Sequence, residues 1–269
     1  MSWVETRSRA FSARHENVDA EAAERILAQL EEFRKRISGR FKVVPTGIAV
    51  VIHPGPGHLS LAHPWLPMAR LAAAPASRRY FAGWFSLGEI HVLAPRALDE
   101  RASRVPGSRE ALALSPLHEY AHLVVAANDP RLPPPFGLRG FTRYLRAAWL
   151  VEGAAAYFSG QLPHLRPAVA RRMREGRRPS FPPSVRDAIV LGPTVYGLLE
   201  RGAGPEACVQ LATGSGDDAR TALERAFARP VDEVEGTWRA YLDQFAAGGG
   251  TDVTARPRER RPRGRGSSR

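Results

Sequence analysis

The chain has 269 residues, 43% hydrophobic and 25% charged, a composition that excludes an intrinsically disordered protein and allows one large core. Of the formal charge of +12, a net of +5 belongs to the stretch from residue 251 onward, where seven arginines (256, 258, 260, 261, 263, 265, 269) stand against Asp252 and Glu259. No aromatic residues interleave with these arginines, so the charge reads as a solvated basic surface and not as a specific nucleic-acid site.

Residues 3–15 contain an alternating stretch around Phe11, which predicts a short strand. Residues 17–37 carry an apolar stripe (Ala23, Ile26, Leu27, Leu30, Phe33, Ile37) at helical spacing, with Asn17 or Asp19 as N-cap and Gly39 as stop. Residues 42–53 are β-branched and apolar, a buried strand entered after Pro45. Residues 54–75, rich in Pro, Gly and His, read as loop with a short helix at 68–74. Two β-type runs within 79–94, joined by Ser86, Leu87 and Gly88, predict a hairpin. A helix is expected over 108–127, a loop over 128–140 containing Pro133, Pro134 and Pro135, and a second helix over 141–160. Helical patterns follow at 164–175, 184–201, 205–213, 217–228 and 231–246. The fold class is therefore α+β, with a mixed N-terminal sheet and a mainly helical C-terminal half. One domain is expected over 1–247, and a disordered basic tail over 248–269.

The single cysteine, Cys208, excludes an internal disulfide framework and a multi-cysteine zinc cluster, and fits a reducing compartment. Charged residues between Arg7 and Glu24 interrupt any signal-peptide core, and no later apolar run is long enough for a membrane span. The expected location is the cytoplasm.

The segment His118-Glu119-Tyr120-Ala121-His122 lies within the helix expected over 108–127. Four-residue spacing puts both imidazoles on one face, one turn apart, where two nitrogens can converge on one ion. Catalytic zinc takes three protein ligands, and Glu119, next to the first histidine, is placed to act as general base and acid. Glu152 is the candidate third ligand, because apolar residues flank it on both sides and a lone buried carboxylate is costly unless something pairs with it. The competing reading of Glu152 is a helix N-terminal charge or a salt bridge to Arg146. The remaining histidines (15, 53, 58, 63, 91, 164) lack ligand spacing and read as structural.

These residues resemble the gluzincin metallopeptidases, most closely the peptidase MA-like family. The resemblance rests on the strand segment 88–92, the motif 118–122, the segment Trp149-Leu150-Val151-Glu152-Gly153 and the run 238–242. It implies a zincin-like fold, Zn2+ held by His118, His122 and Glu152, Glu119 as the catalytic base, and a peptide or protein substrate lying along the strand at 88–92. It also implies a tyrosine that steadies the oxyanion, with Tyr196 placed like the family residue and Tyr157 as competitor. Where similar sequences carry a glutamate that orients a ligand histidine, this chain has Ala156, leaving that task to a backbone carbonyl or to Asp129. The alternative function is an inactive zincin-like binding or regulatory module.

Overall fold

A computed structural model describes residues 2–62, 65–129, 138–214 and 218–248. Proline residues 133–135, and the basic tail from 249 onward, lie outside the described residues. The chain opens with β1 (Trp3–Arg7) and β2 (Phe11–Glu16), an antiparallel pair in which Trp3 faces Glu16 and Arg7 faces Ser12. The single strand expected over 3–15 is thus two strands with a tight reversal between them.

Helix α1 (Ala20–Ile37) carries its apolar stripe inward. Asp19 precedes it without capping it through its side chain, because Arg96 takes both carboxylate oxygens at 2.9 and 3.1 Å. Strand β3 (Ile48–His53) begins beyond Pro45, where Gly47 turns the chain at a φ of 70°. Residues 54–75 hold more helix than expected: α2 (Pro56–Ala62), α3 (Trp65–Ala72) and the short α4 (Pro75–Arg78). Pro56 and Pro75 stand in the first turn, where the missing N–H of proline costs nothing.

Strands β4 (Gly83–Ser86) and β5 (Glu89–Leu93) form the expected hairpin, with Gly88 at a φ of 73° in its turn. The sheet runs β1-β2-β3-β5-β4, parallel at β2/β3 and β3/β5 and antiparallel at both outer pairs. Strand β5 is therefore interior, and β4 forms the edge. Ala13, Val50, Ile52, Ile90 and Val92 are completely buried on the packed strands.

After the single turn α5 (Leu98–Arg101), the helix expected over 108–127 is broken into α6 (Ser108–Ala113) and α7 (Ser115–Asn128). Pro116 accounts for the break: it lacks the N–H that a continuous helix would bond to Leu112, and its ring would strike that carbonyl. Helix α7 packs on the sheet beside α1. Its Tyr120 stands edge-on to Phe11 of β2 and Phe33 of α1, at 5.0 and 6.1 Å, and donates its hydroxyl to the Pro45 carbonyl at 2.7 Å.

The expected helix over 141–160 is likewise two, α8 (Leu138–Arg146) and α9 (Ala148–Phe158). The remaining elements are α10 (Leu162–Arg174), α11 (Ala188–Ala203), α12 (Pro205–Thr213), α13 (Ala219–Phe227) and α14 (Val231–Ala247). Helices α9 and α11 touch backbone to backbone. A Cβ on Gly153 would lie 2.8 Å from the Gly192 carbonyl carbon, and one on Gly192 would lie 2.7 Å from the Trp149 oxygen. Among the described residues no helix is long and apolar enough to cross a membrane.

Candidate metal centre

Helix α7 presents His118 and His122 on its buried face, and α9 brings Glu152 against them. The two imidazole Nε2 atoms are 3.1 Å apart; Glu152 places one carboxylate oxygen 3.2 Å from His118 Nε2 and the other 3.6 Å from His122 Nε2. All three side chains are buried, and they are the one group of metal-ligating side chains found among the described residues that could hold a metal ion. The Arg146 pairing is not what Glu152 makes. Its partners are the two histidines and Tyr144, whose hydroxyl donates in a short hydrogen bond to the oxygen that faces His122.

Each ligand is held from behind. The His122 ring stacks on Phe85 of β4, with centroids 4.2 Å apart and planes 16° from parallel. His118 Nδ1 lies 2.8 Å from Gln161 Oε1, and the amide nitrogen of Gln161 donates to the Ala111 carbonyl at 2.7 Å. That second bond fixes the amide with its oxygen toward His118. Nδ1 must therefore carry the proton, and in the neutral ring Nε2 points its lone pair at Glu152 and His122. The orienting partner is thus Gln161, while Asp129 sits buried at the C-terminal end of α7.

The electrostatics favour a positive charge between these atoms. Burial pushes the Glu152 carboxyl upward, but the two imidazoles and Tyr144 overcome it and hold the group well below the usual carboxylate range. Burial also pulls His118 toward its neutral form, yet the bond to Glu152 and the charge of Glu119 raise it. His122, with less compensation, is pressed down to about 3 by burial.

Glu119 is one residue along α7 and so turns away from the ligands toward β4. Its carboxylate lies directly over Gly83, where an added Cβ would stand 2.3 Å from Oε1. Burial is the main cause of its carboxyl rising to about 8; the charge of Glu152 adds to this and His118 moderates it. The surrounding cavity, walled also by Tyr80, Phe81, Trp84 and Ile189, measures about 10 Å³, space for one water-sized body.

The structure brings together His118, Glu119, His122 and Glu152, but not Tyr196. That hydroxyl is completely buried and donates to the Leu150 carbonyl at 3.0 Å, and its ring stacks on Tyr157 at 5.7 Å, so both candidate tyrosines belong to the packing between α9 and α11. The tyrosine that bonds the cluster itself is Tyr144. Sequence reading missed it because the helix break at Ala147 lies between it and Glu152, so no spacing rule relates the two. The strand beside the site is likewise the edge strand β4, whereas segment 88–92 is paired on both sides. His53 and His91 form a stacked, hydrogen-bonded pair away from the cluster. Comparison with family models, curated proteins and solved structures found no match.

Proposed function

We propose that this chain is a zinc-dependent peptidase of zincin-like architecture, with His118, His122 and Glu152 as ligands and Glu119 as the proton-transfer group. One observation carries the metal assignment: the two imidazole Nε2 atoms stand 3.1 Å apart, and the Glu152 carboxylate sets one oxygen 3.2 Å from His118 and the other 3.6 Å from His122. Ligands at about 2.0–2.1 Å around a tetrahedral ion stand about 3.3 Å apart. Two imidazole nitrogens and a carboxylate oxygen form a donor set that suits zinc.

Zinc bound there supplies Lewis acidity, which acidifies water and polarises a carbonyl. Glu119 takes the proton from the attacking water and returns it to the leaving nitrogen, a task suited to a carboxylate whose basicity burial has raised. Tyr144 and Gln161 keep Glu152 and His118 aimed inward. Strand β4, the sheet edge beside the site, is where an extended peptide would add itself as a further strand. The small enclosed cavity favours one other reading, a metal-holding module without peptidase activity.

Metal analysis and peptide hydrolysis separate these. Wild type is expected to hold one zinc per chain, lost in His118→Ala and in Glu152→Ala. Glu119→Gln is expected to keep zinc while hydrolysis falls by about 10²-fold or more. Wild type that stays metal-free after zinc loading would refute the site. Zinc binding without cleavage of any peptide would leave the module.

A further inference from the structure

Tyr80 lines the cavity around the metal cluster and also a second cavity of about 90 Å³, whose other walls include Arg79, Ser103, Val105 and Arg171. Val105 and Arg171 continue in turn into a groove of about 410 Å³ that adds Arg104, Arg166 and Arg174. The three spaces adjoin one another through these shared residues, and no residue lining the two outer spaces is acidic. All five arginines are exposed. Arg171 is held through Nε by Glu175 at 3.2 Å, and Arg79 reaches the Ala102 carbonyl at 3.1 Å.

Two further observations point to a ligand. Tyr80 is more than nine-tenths buried, and its hydroxyl makes no hydrogen bond of full geometry among the described residues, with the hydroxyls of Ser103 and Ser108 as its polar neighbours. A buried hydroxyl without a well-formed hydrogen bond is destabilising, and an incoming acceptor would relieve it. Near Arg79, burial first, and then the charges of Arg70 and Arg79, lower the Arg101 guanidinium to about 10.

We propose that the two outer spaces form an acidic-peptide subsite: a carboxylate seats against Arg79, Arg171 and the Tyr80 hydroxyl, and further acidic residues run along Arg104, Arg166 and Arg174. A guanidinium matches a carboxylate in shape and charge, and the phenol supplies the added donor. The carboxylate comes from an aspartate or glutamate side chain or from a peptide C-terminus. The inference rests on the peptidase reading for the fate of the peptide, not for its binding.

The test is fluorescence anisotropy with a short labelled glutamate-rich peptide, using the full-length zinc-loaded chain carrying Glu119→Gln so that cleavage does not intrude. The acidic peptide is expected to bind about tenfold or more tighter than its glutamine counterpart. The double substitution Arg79→Gln, Arg171→Gln should abolish that ratio, and Tyr80→Phe should reduce it several-fold, with circular dichroism unchanged. Both arginines are exposed, so the fold should tolerate their loss; restoring the ratio with Arg79→Lys, Arg171→Lys would further separate charge from packing. Loss on amidating the C-terminus assigns the terminal carboxylate, whereas loss only on Glu→Gln assigns side chains. Equal binding of both peptides, or a ratio indifferent to the double substitution, overturns the subsite. Equal competition by a single-stranded oligonucleotide also overturns it, in favour of general polyanion binding. If wild type cleaves no peptide while the ratio holds, the peptidase reading falls and the subsite stands.

Discussion

Replacing Gly83 with alanine tests the placement of Glu119 without touching a ligand. The new methyl would stand 2.3 Å from Oε1, 2.6 Å from Cγ and 2.7 Å from Cδ of Glu119, where ordinary contact begins at 3.4 Å. Gly83 lies within β4 and has no positive φ, so the backbone accepts alanine and the whole cost is steric. The carboxylate must retreat by about 1 Å, a displacement that costs a positioned catalytic group about 100-fold in rate. Crowding of this kind removes about 1–3 kcal/mol of stability, a fall of several degrees in Tm for a chain of this size. The assay pairs zinc stoichiometry with turnover of a quenched fluorescent peptide. Zinc is expected to stay at one per chain while kcat falls about 100-fold. Gly88→Ala is the control: its φ of 73° makes alanine strained, but nothing lies within 4 Å, so stability should drop and turnover should not. Full activity in Gly83→Ala would refute the assignment of Glu119, and loss of zinc would refute the separation of base from ligands.

Gln161→Leu removes the acceptor for His118 Nδ1 and should weaken zinc binding about 10–100-fold in a chelator competition, with Glu119 chemistry otherwise intact. Tyr144→Phe removes the hydroxyl that holds Glu152 and should weaken zinc, whereas Tyr196→Phe should cost about 1 kcal/mol in chemical denaturation and leave kcat unchanged. A large kcat loss in Tyr196→Phe would restore that residue to the site. Cys208 is completely buried, and burial pushes its thiol to about 12, so a thiol reagent at pH 8 should modify it only in denaturant. Because this pKa is raised on folding, the contribution is fully present below the thiol's unfolded pKa of about 8.5 and is lost as pH rises through about 12; Cys208→Ala should flatten any alkaline fall in Tm.

What could be read before the structure was local. The helical stripe of α1 and the four-residue pairing of His118 with His122 each depend on contacts within one element, so spacing alone places them. Glu152 was readable because a carboxylate between Val151 and Gly153, with aliphatic neighbours beyond, needs a partner. Gln161 was not, since it lies past the end of α9, where no periodicity assigns it a face. Tyr196 was misplaced for a related reason: a sequence shows that a ring is buried, but not whether its hydroxyl meets a cavity or a backbone carbonyl. The edge strand was misjudged because strand order is a long-range property. The hairpin pairing of β4 with β5 was legible, but the parallel partner that makes β5 interior is β3, some forty residues earlier. Helices α2 and α3 were read largely as loop because proline marks a helix start as readily as it marks a turn.

The contact between Gly153 and Gly192 sets how the centre responds to a change of ion. With no side chain between the two backbones, α9 and α11 lie in direct backbone contact, and the residue that α9 carries into the cluster is Glu152. His118 and His122 ride on a separate helix packed against the sheet, so the three side chains are spaced by the packing of two helices. For the proposed zinc site the frame would then set the selectivity: a larger cation that asks for six or more oxygens would need a wider gap, and discrimination against calcium would rest on two glycines outside the cluster.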